Sequence, residues 1–147
     1  MYQRILVATD GSELSNKAVT SAIQLAASLG AELIALKVIP RYPQSYLEGA
    51  ETLSADEAAR VEDRWVALGH EVVDAVKVAG EAQGVTVKAI VAKSDVVSDA
   101  LIAAAQKHQA DLIVMASHGR KGVKRLLLGS ETQQVLTHSE IPVLVLR

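Results

Sequence analysis

Three glycines and four fixed cations crowd into the stretch Met115–Thr132, MASHGRKGVKRLLLGSET. A loop of this kind can hold an anion, because backbone amides in a glycine-rich turn converge with those of a following helix's first turn. Gly119 and Gly122 let the backbone approach a phosphate closely, and Gly129-Ser130 stands where a helix begins. Ser130 offers a hydroxyl as well as an amide, while Arg120, Lys121, Lys124 and Arg125 supply positive charge. Each residue also has a plainer explanation. Ser130-x-x-Gln133 is a capping box, and the basic residues could be a solvated face. Taken together, they point to phosphate.

The elements around the loop decide where it sits. Arg4–Thr9, Leu33–Ile39, Val85–Val91, Ala110–Ala116 and Ile141–Leu146 are short aliphatic runs, the pattern of strands covered on both faces. Between them lie helical patterns. The first carries Val19, Ile23, Ala26 and Ala27, with Asp10-x-x-Glu13 as a capping box, and stops at Gly30. The second opens at Ser54-x-x-Glu57 and places Ala58, Val61, Trp65, Leu68, Val72, Val76 and Ala79 on one face, with Gly69 as a mild interruption. The third aligns Val97, Leu101, Ala104 and His108, and the last runs from about Gly129 to Ser139. Residues 41–53 form a loop containing Pro43, Gly49 and two tyrosines. Five strands alternating with helices predict one α/β domain over residues 1–147. Its sheet is parallel and doubly wound, with helices on both faces. Ligands of such sheets sit at the carboxyl ends of the strands, here after Thr9, Val38 and Met115.

Composition narrows the function. Half the residues are hydrophobic but only 3% are aromatic, so the core is aliphatic. A net charge of −2 gives no global field for nucleic acid. There is no cysteine, which excludes disulfides and thiolate metal sites and suits a reducing compartment. The N-terminus lacks a signal-peptide pattern, and no apolar run reaches the roughly 18 residues of a membrane helix. A cytoplasmic protein is expected. Thr9-Asp10-Gly11-Ser12 replaces the dinucleotide G-x-G-x-x-G, and no G-x-x-x-x-G-K-[ST] occurs. A phospho-acceptor domain needs paired acids after its first strand, where only Asp10 stands; Asp95 reads equally as a helix cap. His118 lies in the loop with no carboxylate or second histidine to orient it as a base. His70, His108 and His138 form no i, i+4 metal pair.

From Ile5-Leu6-Val7-Ala8-Thr9-Asp10-Gly11-Ser12 to Ile141-Pro142-Val143-Leu144-Val145, the whole chain resembles a universal stress protein. The nucleotide-binding branch of that family carries G-x2-G-x9-G-[ST], matched here by Ala116, Gly119, Gly129 and Ser130 with only the first glycine replaced. The resemblance implies a Rossmann-like fold of the adenine nucleotide alpha hydrolase-like kind, holding ATP with Mg²⁺. Asp10 is implied to contact the nucleoside, and Ala8, Val38 and Met115 to pack near adenine. Ribose and phosphates are implied to lie against Ala116, Ser117, His118, Gly119, Arg120 and Gly122, and against Gly129, Ser130, Glu131 and Thr132. Mg²⁺ would be held by phosphate oxygens and Ser130. On the residues alone, Asp10 is equally a cap, and Val38 and Met115 are core. The family's edge strand implies a homodimer through residues 143–146. The reading is a stress-response module that binds ATP without fast turnover and acts through dimerisation or a protein partner. A slow ATPase or phosphoryl- or adenylyl-transferring enzyme is the alternative, and a nucleotide-free dimeric scaffold is a second.

Overall fold

The computed structural model describes residues 1–41, 54–118 and 128–147. Among them the chain forms β1 (Arg4–Ala8), α1 (Glu13–Leu29), β2 (Glu32–Ile39), α2 (Ala55–Glu81) and β3 (Val87–Lys93). It continues with α3 (Val97–Lys107), β4 (Leu112–Ala116), α4 (Ser130–His138) and β5 (Val143–Leu146). The strands make one parallel sheet in the order β3-β2-β1-β4-β5. The chain builds outward from β1 to β3, then crosses back to add β4 and β5. The switch in strand order therefore falls between β1 and β4.

Alternation along each strand explains the layers. Ile5, Val7, Leu33, Ala35, Leu112 and Val114 face α1 and α2, where they meet Ala18, Ala22, Ile23, Val73 and Val76. Leu6, Ile34, Leu36, Ile113 and Met115 face α3 and α4, where they meet Leu101, Ala105 and Val135. Both faces are buried. The short apolar strands of the sequence are thus the centre of a three-layer fold.

Several local expectations are corrected. α2 buries Val76 as expected, but otherwise Gly69, Val73 and Gly80, each one residue past the expected Leu68, Val72 and Ala79, and Leu68 is 51% exposed. Gly69 is therefore no interruption. A β-carbon there would come within 3.2 Å of Val91, and one at Gly80 would collide with Val87, so the two glycines let α2 lie close on β3. Trp65 is half-buried instead of core. α3 buries Ser98, Leu101 and Ala105, whereas His108 is its C-cap. Ser54 and Glu57 do form a capping box, but the cap of α1 is Ser12, not Asp10, and that of α4 is Gly129, not Ser130. Asp95 caps nothing: Val96 occupies that position, and Asp95 accepts from the Arg41 amide at 3.3 Å. Among the described residues no helix is long and apolar enough to cross a membrane.

Candidate functional site

The three strand ends singled out by sequence converge on one cleft of about 470 Å³. At the end of β1, Thr9 is buried and donates its amide to Leu36 at 2.9 Å, which ties the ends of β1 and β2 together. Its hydroxyl sits 3.2 Å from that of Ser15 and accepts from the Gly11 amide at 3.2 Å. Asp10 accepts the Ser12 amide at 2.8 Å, a local turn that leaves capping of α1 to the Ser12 hydroxyl. This is a rigid rim built from short polar side chains.

The other wall joins β4 to α4. The Gly129 amide donates to Ser117 O at 2.7 Å, and the Thr132 hydroxyl, 2% exposed, donates to Ala116 O at 2.9 Å. Ser117 in turn donates its amide to Leu146 O at 2.7 Å. These bonds pin the start of α4 against the end of β4. A β-carbon at Gly129 would lie 3.1 Å from His118 Cα, so a side chain here would need His118 to give by a few tenths of an ångström; its φ of −62° suits any residue. α4 has no side-chain cap, and Ser130 Oγ instead donates to Glu131 Oε2 at 3.1 Å. Among the described residues no side chain caps the first-turn amides, which face the cleft end of β4.

Of the expected residues, Ala8, Asp10, Val38, Met115, Ala116, His118, Gly129, Ser130, Glu131 and Thr132 all line the cleft. Ser117 does not: it is buried, with its hydroxyl 3.0 Å from His118 Nδ1. His118 therefore has an orienting partner that the sequence did not reveal, a neighbouring hydroxyl. Gly119, Arg120 and Gly122, with Lys121, Lys124 and Arg125, lie outside the described residues. Thr9, Ser15, Leu36, Lys37, Val97 and Leu101 also line the cleft and were missed. Lys37 gave a signal, as a charged residue near the carboxyl end of the otherwise apolar run Leu33–Ile39. Among the described residues no cluster of three or more histidines and carboxylates could hold a metal ion.

The profile of the Universal stress protein family matches residues 1–147. The chain belongs to this family. Universal stress protein MJ0531 of Methanocaldococcus jannaschii is 34% identical over 149 residues, covering all of this chain and 83% of that protein. Among solved structures, hypothetical protein MJ0577 superposes with a TM-score of 0.84 at 27% identity, covering 99% of this chain and 96% of its own. A universal stress protein in complex with cAMP superposes with a TM-score of 0.68 at 28% identity, covering 99% and 97%. The fold and the family are those that the sequence resembled.

Proposed function

We propose that this chain is a single-domain, cytoplasmic stress-response module that binds ATP with Mg²⁺ in the cleft between β1, β2 and β4. One observation carries the reading. The uncapped start of α4 opens into a cleft whose walls hold three of the motif positions, Ala116, Gly129 and Ser130, in the spacing of the family's nucleotide pattern. Apolar Ala8, Val38, Leu101 and Met115 offer a flat purine a dry wall, and Asp10 supplies an acceptor for sugar hydroxyls. The α4 amides and the cationic loop suit phosphates, whose oxygens would hold Mg²⁺ together with Ser130. The cAMP complex of a relative supports an adenine nucleotide as the ligand class. Mass spectrometry of small molecules released on denaturing freshly purified protein tests this. An adenine nucleotide at stoichiometric yield is expected; protein that carries none and takes up none when ATP is added rules it out.

The second part of the reading is a homodimer through β5. Among the described residues this strand is an edge, paired only with β4. Pro142 O accepts from Ile113 of β4 and Leu146 O from Ser117 just past it, so by alternation the backbone groups of Val143 and Val145 point away from the sheet. Leu144 is 41% exposed. Two such edges satisfy each other across a twofold axis. Val145→Pro removes an outward donor without touching the β4 ladder, and we expect it to convert a dimer to a monomer in sedimentation. A dimer that survives the change unaltered does not use this edge.

A further inference from the structure

We propose that Ser117 is a positioning residue: its buried hydroxyl holds His118 as the tautomer protonated at Nε2, which makes the imidazole a donor to phosphate and not a base. The inference rests on the nucleotide reading. Ser117 is 5% exposed, and its Oγ lies 3.0 Å from His118 Nδ1. Two backbone bonds of 2.7 Å fix the residue that carries this hydroxyl: its amide donates to Leu146 O, and its carbonyl accepts the Gly129 amide. The hydrogen between Oγ and Nδ1 can belong to either atom. If it belongs to Nδ1, the hydroxyl accepts, and its own hydrogen is left in a buried place; Nδ1 is the partner that the described residues offer it. If the hydroxyl donates, Nδ1 is a bare acceptor and no buried hydrogen is stranded. The second arrangement wins, because a buried donor without an acceptor loses the bonds it made to water. The neutral ring then carries its proton on Nε2.

Location decides what this donor meets. His118 lines the cleft, and its Cα lies 3.1 Å from where a β-carbon on Gly129 would stand, so the imidazole is rooted beside the start of α4. That is the corner the nucleotide reading gives to phosphates. Nε2 lies across the ring from the nitrogen that Ser117 holds. With its proton it donates to a phosphate oxygen; without it, a lone pair would oppose one. The same proton bars base chemistry, because a neutral ring protonated at Nε2 has no lone pair on that atom to take a proton from water. The sequence sets Ser117 against the ligand, whereas here it acts through its neighbour.

Two measurements on the full chain test this. The first is the pair of nitrogen chemical shifts of the His118 ring, read by NMR in ligand-free protein at about pH 8, where an ordinary imidazole is neutral. The parent is expected to show a protonated Nε2 and a bare Nδ1. In Ser117→Ala the two shifts should move toward each other as tautomers mix. A parent ring protonated at Nδ1, or shifts indifferent to the substitution, overturns the proposal. The second is calorimetric titration of ATP with Mg²⁺ into the parent, Ser117→Ala, His118→Ala and the double variant. Ser117→Ala is expected to weaken binding about threefold or more and His118→Ala about tenfold, the scale of one hydrogen bond. The double variant should lose no more than His118→Ala alone. An equal loss from Ser117→Ala in both backgrounds overturns the proposal, because Ser117 then acts through the fold. Adenosine is expected to bind all four proteins alike; a loss matching that of ATP also overturns it, because the effect then bypasses phosphate. If the parent binds no ATP, the nucleotide reading falls and the donor role with it, while the nitrogen shifts still decide whether Ser117 holds the ring.

Discussion

The two ends of the sheet are built from one set of strands yet do opposite work. At the carboxyl end α1, α3 and α4 begin, and the connections leave a cleft of about 470 Å³. At the amino end the same helices finish, the connections are short, and the cavity between Arg4, Glu32, Lys88 and His108 is only about 140 Å³. Helix polarity adds an electrostatic difference: amides and partial positive charge gather at the first end, carbonyls at the second. Asp111 anchors the amino end by accepting the amides of Gln3 at 2.8 Å and Arg4 at 3.1 Å. The Arg4–Glu32 ion pair, at 3.6 Å and well exposed, adds little. In a parallel sheet, stability can be anchored at one end and binding chemistry concentrated at the other. Substitutions at the two ends should therefore separate stability from binding.

The largest effect is expected at Gly129. A valine there would press on His118, 3.1 Å from the added β-carbon, and push α4 off the end of β4. Gly129→Val should weaken ATP binding by about a hundredfold or more, roughly 3 kcal/mol, while circular dichroism still shows the folded sheet. Binding retained within a few-fold would show that the α4 start is not part of the site. Asp111→Ala is the counterpart at the other end. Loss of two charge-assisted acceptor bonds should cost about 1 to 2 kcal/mol in urea unfolding and leave ATP affinity unchanged. A matching loss of affinity would mean that the two ends are not separable.

Much of this contrast was legible in the sequence, because parallel strands buried on both faces leave a plain aliphatic signature in Ile5–Val7 and Leu112–Val114. Ligand position followed from topology, so Asp10, Val38 and Met115 could be placed at strand ends before any coordinates. The phase of α2 was not legible, because in sequence a glycine reads as a helix breaker and not as a packing surface. Gly69 and Gly80, eleven residues apart and so on one face, were the overlooked clue. Caps shifted for a related reason. Ser, Asp and Glu cluster at the start of α1, and only backbone geometry decides that Ser12 caps while Asp10 closes a turn. Ser117 resembled its neighbours in sequence, but it is buried, with its backbone bonded to Leu146 and Gly129 and its hydroxyl 3.0 Å from His118 Nδ1.

A smaller effect is expected at Ala116, where the motif's first glycine is replaced. Ala116 closes β4, is 8% exposed on the cleft wall, and holds Thr132 through its carbonyl. Its methyl should crowd the ligand without closing the site. Calorimetry of Ala116→Gly should show an affinity change of about 1 kcal/mol or less, the scale of one methylene. If the parent binds nothing and the glycine restores tight binding, this member has lost its nucleotide.

The smallest effect belongs to the amino end. Burial, followed by the charges of Lys88 and Lys107, lowers the pKa of His108 from the ordinary 6.5. The unfolded chain therefore takes up the proton first. This contribution to stability is complete above about pH 6.5 and is lost as the pH falls through that value toward the lowered pKa. His108→Gln should narrow the gap between melting temperatures measured at about pH 7.5 and about pH 5.5. An unchanged gap would assign the pH dependence to other groups.

The central claim is that the carboxyl-end cleft binds an adenine nucleotide and holds it. The most direct test is to titrate ATP with Mg²⁺ into the purified full chain, then recover the nucleotide after many minutes. Saturable binding of one ATP per chain and recovery of intact ATP are the predicted result. No binding, or turnover of about one per second or faster as in kinases, would contradict it.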